Sequence, residues 1–327
     1  MDNGQFMMSS QSKSTNPLAL PVAIFGIWIA WGSMYFFTHA ALVEWPPYWL
    51  VGSRFFAAGL LAFAFLLIRA RMQPQSPLVL PTRRQMLNCG IMAVCLLVLG
   101  TGSTVFAQQW NSSGLASTLA ATATIWIALL MGFVGKWPRP VEWAGILIGF
   151  VGVILINADI GMRGSLIGPA IGLFGTLSWS AGSVLSQKLD LPTGWMRTSI
   201  QMIIGGALLL VVSFVRGEQV TLAVSAQTYG AWTVLILGAC LGFGSYMYLL
   251  SQSRVSLATS YAYMNPTVAL LLGTFIGHES IMPLELAGIA IILISVAFIS
   301  VANVRHASSA RREVVQPVPQ EAAKSVS

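Results

Sequence analysis

The segment LGTGS at residues 99–103 recurs as LGFGS at residues 241–245, and GLAS at 114–117 recurs as SLAT at 256–259. Both pairs are 142 positions apart. Further matches follow in the same order at similar spacing: Leu18 with Leu166, Pro21 with Pro169, Trp31 with Trp179, Arg54 with Gln201, and Glu142 with Glu285. Ordered matches at a nearly constant spacing indicate a single unit that is written twice in the chain.

The composition is that of a membrane protein. Hydrophobic residues make up 56% of the 327 residues, charged residues only 8%, and the mean hydropathy is +0.75. Soluble domains carry roughly 25% charged residues, so a water-soluble fold is excluded. A bilayer core about 30 Å thick needs about 20 apolar residues per helix. Ten stretches meet this requirement: 18–38, 48–68, 87–107, 114–134, 142–158, 165–185, 196–215, 229–250, 257–277 and 283–303. Their apolar runs do not alternate with polar residues, which favours helices over a transmembrane barrel.

The repeat and the spans together predict an all-α membrane protein with ten transmembrane helices in two inverted five-helix repeats. Residues 18–158 form the first repeat and residues 165–303 the second. Residues 1–17 and 304–327 are polar and are predicted to be cytoplasmic tails. An odd number of spans per copy places the second copy upside down. Inverted copies around a shared cavity are typical of transporters that open to either side in turn.

The formal net charge of +7 reflects topology. With the N-terminus inside, Arg163 and Arg216 are the only basic residues of the loops and tails that face outward. This is the positive-inside distribution, so both termini are predicted to be cytoplasmic and no nucleic-acid partner is expected. The three cysteines, Cys89, Cys95 and Cys240, fall within spans and form no disulfide framework.

Short motifs occupy fixed places in this pattern. They are WGS at 31–33, PP at 46–47, SRF at 53–55, the Leu-Ala-Ser/Thr entry to helices four and nine, and NP at 265–266. In these motifs and in its ten spans, the chain from 18 to 303 resembles the EamA branch of the drug/metabolite transporter superfamily. The resemblance implies an inner-membrane permease or exporter of metabolites, amino acids or drug-like compounds. It also implies a central cavity lined chiefly by helices one, three, four, six, eight and nine.

Arg54 is the charged residue that falls clearly inside a span. It sits about six residues into helix two, roughly 9 Å below the outer edge. A charge in the membrane core costs at least about 2.5–3.5 kcal/mol on insertion scales. Arg54 therefore either snorkels or binds backbone carbonyls of a neighbouring helix, or it attracts a carboxylate or phosphate of the substrate. Gln201, its repeat partner, fits a structural hydrogen-bond site as well as a binding site.

The sequence Asn265-Pro266 lies about midway along helix nine. The proline frees the carbonyl of Ala262, which is tolerated in the membrane only where protein or a wet cavity satisfies it. The position is either a packing kink or a part of the substrate path that includes Asn265. Thr124 occupies the matching place in helix four.

Aromatic residues offer a further candidate surface. Those that lie away from the interfacial belts, or at repeat-related depths, are Trp31, Tyr35, Trp126, Trp179, Tyr246 and Tyr263. A cavity for amphipathic molecules has flat apolar walls with a few polar tips. Each aromatic residue alone also fits ordinary helix packing or lipid contact, but as a group some should line the path.

The leading functional interpretation is a secondary transporter that moves small molecules by alternating access. The alternatives are a channel, which would need a ring of like charges or a filter sequence, and an intramembrane enzyme. An enzyme would need paired acids, a metal cluster or a Ser/His arrangement within the bilayer. The sequence offers none of these, so no catalytic residue, metal or cofactor is predicted. The expected partners are a small-molecule substrate and the lipid bilayer, for a monomer or a homodimer.

Overall fold

The computed structural model describes residues 19–73, 78–135, 137, 140–163, 166–252, 261–279, 283, 286–295 and 297–298. Inside helices, the side chains at 19, 141, 142, 153, 154, 156–163, 247, 250–252, 262 and 263 are not described. Throughout these ranges the regular structure is helical. The helices are α1 (Ala19–Ala41), α2 (Pro47–Met72), α3 (Arg83–Met92), a π-helical segment (Ala93–Gly102), α4 (Ser103–Ala107), α5 (Ser113–Ala121), α6 (Ala123–Gly132), α7 (Pro140–Arg163), α8 (Ile167–Leu185), α9 (Gly194–Val215), α10 (Ala226–Gln252), α11 (Tyr261–Phe275) and α12 (Leu286–Ser295).

Six helical stretches are long and apolar enough to cross a membrane. They are Leu20–Ala41, Pro47–Met72, Arg83–Ala107, Ser113–Gly132, Gly194–Val215 and Ala226–Tyr246. Shorter apolar helices cover Trp143–Gly152, Met264–Phe275 and Leu286–Ser295. The chain is therefore a multi-pass helical protein by length and composition, while the count of ten spans stays a prediction.

Local sequence signals fix several helix ends. Pro47 opens α2, where its missing N–H removes no helical hydrogen bond. Thr82 and Gln85 form a reciprocal capping box at the start of α3. Gly217 adopts φ +67° just after α9, and the N–H of Glu218 reaches back to the carbonyl of Ser213 at 3.0 Å. This left-handed glycine ends α9 and turns the chain towards α10.

The third helical stretch changes its winding in the middle, because Ala93–Gly102 is π-helical between α3 and α4. Thr101 Oγ1 donates to the carbonyl of Leu96 at 3.1 Å within this segment. From α8, Ser178 Oγ donates to the carbonyl of Cys95 at 3.0 Å. π-Helical turns are rare and occur often at functional sites. This segment is therefore a candidate for a functional part of the bundle.

The two halves of the chain are interlaced. Helix α2 packs along α9, α1 packs against α10 and α11, α8 packs against the π-helical segment and α6, and α5 packs against α11. Ser295 Oγ on α12 donates to the carbonyl of Gly145 on α7 at 2.6 Å. Most of these pairs join a helix from before residue 159 to one from after residue 164.

The bundle is apolar outside and partly polar inside. Phe214 is 85% exposed and Phe25 is 58% exposed, and both lie on long apolar helices. Arg54 is only 3% exposed. Large exposed apolar surface on helices of this length is what a bilayer covers, so the described helices are arranged for lipid on the outside.

Candidate functional site

Three aromatic side chains contact Trp31, and the four residues come from three helices. The Trp31 ring centroid on α1 lies 5.3 Å from Phe243 and 5.7 Å from Tyr246, both on α10. It lies 4.6 Å from Tyr261 on α11, and the two rings meet edge to face. Tyr246 and Tyr261 also approach each other at 6.1 Å. We call these four residues the Trp31 cluster; it joins the first half of the chain to the second.

The Trp31 cluster depends on a glycine. A Cβ added at Gly242 on α10 would overlap the indole nitrogen of Trp31, so the indole ring can lie there only because residue 242 has no side chain. At the second glycine of the 241–245 repeat motif, Gly244, an added Cβ would come no closer than 3.2 Å to Trp195, which is a tight contact but not an overlap. Gly242 of the repeated glycine motif therefore seats Trp31.

Gly242→Ala should displace the Trp31 ring and loosen the contact of α1 with α10. Overpacking of this kind costs about 1–3 kcal/mol. We expect a changed near-ultraviolet circular dichroism spectrum and a lower thermal midpoint of the purified protein in detergent. Gly238→Ala, one turn earlier on α10, is the matched control, because its Cβ would meet Ala30 and Met34 at 3.4 Å or more. Equal spectra and midpoints for the two variants would contradict this role of Gly242.

Arg54 lies buried on α2 with few partners. Its Nη1 donates to Thr38 Oγ1 on α1 at 3.1 Å, and its Nε has no hydrogen-bond partner. The guanidinium carbon lies 4.8 Å above the ring of Phe55. None of the carboxylates described in the structure forms an ion pair with Arg54, so a buried positive charge keeps spare donor capacity. A guanidinium with free donors is the group that recognises carboxylates and phosphates.

Tyr35 connects Arg54 to the Trp31 cluster. It follows Trp31 by four residues, so the two side chains share one face of α1. The Tyr35 hydroxyl lies within electrostatic range of the Arg54 guanidinium and of Tyr261. Tyr35 and the tyrosines and tryptophan of the cluster are half-buried, so each keeps some surface on which a ligand can pack.

A second arginine interacts with Tyr246 of the cluster. Arg197 in the first turn of α9 is within electrostatic range of Tyr246. Aromatic rings and phenol hydroxyls thus extend between Arg54 and Arg197. This arrangement combines flat apolar walls with a few polar groups, as in sites for amphipathic small molecules.

Three of the sequence candidates lie elsewhere in the described structure. Trp126 on α6 meets Phe150 on α7 edge to face, with ring centroids 5.8 Å apart, and borders a small cavity of about 20 Å³. Trp179 on α8 packs beside Gly100 of the π-helical segment. Thr124 on α6 is half-buried. The structure gives none of these three a contact with the Trp31 cluster.

Two further candidates are buried amides with unused polar atoms. Gln201 on α9 is 8% exposed and its Nε2 has no partner, and Asn265 on α11 is 8% exposed and its Oδ1 has no partner. Pro266 lies inside α11 next to Asn265, as the sequence indicates. Tyr263 lies outside the described side chains. Unsatisfied amides in a helical bundle are costly, so these positions can take a polar ligand or water.

The sequence analysis did not select Tyr261 or Phe243, although both contact Trp31. Tyr261 and Tyr263 are two residues apart and therefore lie on different faces of one helix. Sequence alone does not fix which of these faces is turned towards α1. Phe243 lies inside the repeated glycine motif, where the matching residue of the first copy is Thr101, so the repeat gives no aromatic signal there.

The family model of the EamA-like transporter family matches the chain twice, over residues 20–158 and 166–301. The chain belongs to this family. As a family member it is a membrane transporter of the drug/metabolite transporter superfamily. Its two family units coincide with the two interlaced halves of the bundle.

Relatives of this EamA-like protein carry consistent names. The inner membrane transporter YedA of Escherichia coli is 35% identical over 302 residues, which cover 92% of this chain and 95% of that protein. The transporter sll0355 of Synechocystis is 24% identical over 321 residues, covering 90% of this chain and 93% of that protein. Together with the apolar helices, these relatives identify a multi-pass inner-membrane protein.

A solved crystal structure has a similar fold. It matches with a TM-score of 0.61 at 18% sequence identity, and the match covers 88% of this chain and 99% of that one. At this identity the likeness concerns the fold alone.

Proposed function

We propose that this chain is a secondary transporter that carries small organic molecules across the inner membrane by alternating access. The substrate binds at the Trp31 cluster together with Tyr35 and Arg54, and no cofactor takes part. The main support for this proposal is that the Trp31 cluster, Tyr35 and Arg54 together join α1 and α2 of the first half to α10 and α11 of the second. A site built from both halves changes its access when the halves move against each other.

The proposal includes ten spans in two inverted five-helix repeats with both termini in the cytoplasm. The helix pairs support it because they are reciprocal. The first long helix of one half, α1, packs on the third of the other half, α10, and α8 packs in the same way on the π-helical segment. The second helices, α2 and α9, pack on each other. A two-fold axis produces such pairing, and five spans per half place that axis in the membrane plane.

The chemistry of the site favours substrates with an apolar or aromatic body and an anionic group. Aromatic rings take the body, and the spare donors of Arg54 take the anion. Gln201 and Asn265 add amide groups that can bind a polar part of the substrate or water. Thr124, Trp126 and Trp179 belong to the second, repeat-related side of the proposed path, which α8 and α6 contribute.

The transport proposal is tested by comparing exported metabolites of cells that overexpress the protein with cells that carry an empty vector. Compounds found in excess are then assayed in inverted membrane vesicles. A carrier should show saturable flux and counterflow, in which unlabelled substrate on one side drives labelled substrate across. Linear flux of ions at channel rates would favour a channel instead. Chemical conversion of the compound without net movement would favour an intramembrane enzyme.

A further inference from the structure

A carboxylate of the first half caps a helix of the second half. Glu44 lies in the segment between α1 and α2. Its Oε2 accepts from the N–H of Ser225 at 3.0 Å, from Ser225 Oγ at 2.7 Å, and from the hydroxyl of Thr228. Ser225 directly precedes α10, and its Oγ also accepts from the N–H of Thr228 at 3.3 Å. Glu44 therefore binds the N-terminus of α10, where a negative charge is favoured.

A carboxylate of the second half lies at the corresponding place in the first. Asp190 lies in the segment between α8 and α9. Its Oδ1 accepts from Gln85 Nε2 at 3.0 Å, and its main-chain carbonyl accepts from Asn88 Nδ2 at 2.8 Å. Gln85 is the third residue of α3 and forms the capping box with Thr82. Asp190 therefore contacts the first turns of α3.

The two arrangements are related by the internal repeat. Asp190 lies 146 positions after Glu44, while Ser225 and Thr228 lie 143 positions after Thr82 and Gln85. These spacings are close to the 142 positions that separate the glycine motifs. In each case the acid follows the first long helix of one half and meets the capping residues of the third helix of the other. This contact between an acid of one half and the start of a helix of the other half therefore occurs once at each end of the bundle.

The two ends of the bundle differ in the contacts that join the two halves of the chain. At the Glu44 end, Glu218 accepts from the N–H groups of Tyr48 and Trp49 at 3.1 and 2.9 Å, which caps α2. Glu279 accepts from the N–H of Ser113 at 2.9 Å, which caps α5. Both are further contacts between the halves, because each acid comes from the second half and each helix from the first.

The Asp190 end is more open in the described part of the chain. There Asp190 reaches α3 through the side-chain amides of Gln85 and Asn88, whereas Glu44 accepts directly from the main-chain N–H of Ser225, immediately before α10. A pocket of about 310 Å³ lies at this end, between the end of α2 and the start of α9. Its lining includes Arg69, Leu78 and Trp195.

We propose that Glu44 and Asp190 are two repeat-related latches whose release opens opposite ends of the transporter in turn, and that this structure, with both contacts formed, holds the Glu44 latch through more hydrogen bonds. The proposal rests on the proposed transport function. It adds a role for two exposed acids in setting which end of the substrate path is open. Closing one latch brings the loop of one half onto the third helix of the other.

Protonation is not the trigger of the Glu44 latch. The hydrogen bonds from Thr228, followed by those from Ser225, lower the pKa of the Glu44 carboxyl below its ordinary value. A lowered pKa means that the contact is present at neutral pH and is lost only as the pH falls through that lowered value. Between about pH 6 and pH 8 the latch opens by movement of the helices and not by titration of Glu44.

The latches can be tested without a known substrate. A reporter cysteine is placed at Phe243 in a chain whose Cys89, Cys95 and Cys240 are alanine. A membrane-impermeant charged maleimide is then applied to intact cells, which expose the Glu44 end, or to inverted vesicles, which expose the other end. Glu44→Gln should raise the labelling rate at least threefold in cells and lower it in vesicles. Asp190→Asn should shift the rates in the opposite direction.

Controls separate the latches from general damage and from failure of the transport proposal. Gln219→Ala changes an exposed residue at the Glu44 end that bonds to Gly217 of its own loop, and it should leave both rates unchanged. If Glu44→Gln does not accumulate, Thr228→Val removes one latch donor and provides the same readout. Unchanged rates in both latch variants, with the parent labelled from both sides, would overturn the latches alone. A reporter that reacts from one side in every variant would contradict alternating access instead.

Discussion

Gly206→Ala should give the largest loss of stability among single glycine substitutions in this bundle. A Cβ at Gly206 on α9 would overlap the backbone nitrogen of Phe56 on α2 and would lie 2.8 Å from the carbonyl oxygen of Gly52. Both obstacles are main-chain atoms, so no rotamer change can relieve them. The α2–α9 crossing must widen, and α2 and α9 are the repeat-related helices on which the two halves meet.

We expect this substitution to cost about 3 kcal/mol, at the upper end for overpacking. For a chain of 327 residues that corresponds to a fall of roughly 4–5 °C in the thermal midpoint. The midpoint is measured by the loss of monodisperse protein after heating in detergent. Phe55 and Leu209 belong to the core cluster beside this crossing, so its packing should loosen together with the helices.

Gly230→Ala is the matched control for this experiment. Gly230 lies in α10, and a Cβ there would meet no atom within 4 Å. Because alanine is the better helix former by about 1 kcal/mol, this control should keep or slightly raise the midpoint. A Gly206→Ala midpoint equal to that of Gly230→Ala would show that the helix crossing is looser than the structure has it.

Much of the fold could be predicted from the sequence because its strongest signals are long-range and repetitive. The apolar stretches and the ordered repeat matches do not depend on the rotation of any helix. The π-helical winding of Ala93–Gly102 could not be predicted, because its residues are as apolar as those of an ordinary membrane helix. The six long spans lie where the hydropathy places them, within a few residues at each end.

The site was harder to predict because it depends on helix rotation and on partners distant in sequence. Residue type and depth point to Trp31, Tyr35, Tyr246 and Arg54, and the structure brings them near one another. Trp126 met the same criteria but faces α7. The partners of Glu44 are about 180 positions away, and the repeat offset relates Glu44 to Asp190 only after the contacts of both are known.

Arg54→Gln should selectively impair transport of anionic substrates. Glutamine keeps a hydrogen-bonding group near Thr38 but removes the positive charge and the guanidinium fork. A charge-assisted hydrogen bond in a buried site is worth about 1.5–3 kcal/mol. The half-saturation concentration for a carboxylate compound should therefore rise on the order of 10- to 100-fold. The measurement is counterflow in proteoliposomes with a carboxylate compound from the export screen and with its uncharged amide.

The amide distinguishes a binding role from a structural one. If Arg54 binds the anion, only the carboxylate loses affinity in Arg54→Gln, and Arg54→Lys, which keeps the charge, recovers part of the difference. Arg71→Gln removes the same charge from the exposed end of α2 and should leave both compounds unaffected. If the carboxylate and the amide lose transport equally, Arg54 serves the packing of α1 on α2 through Thr38. The anion must then be bound elsewhere, with Arg197 beside Tyr246 as the next residue to test.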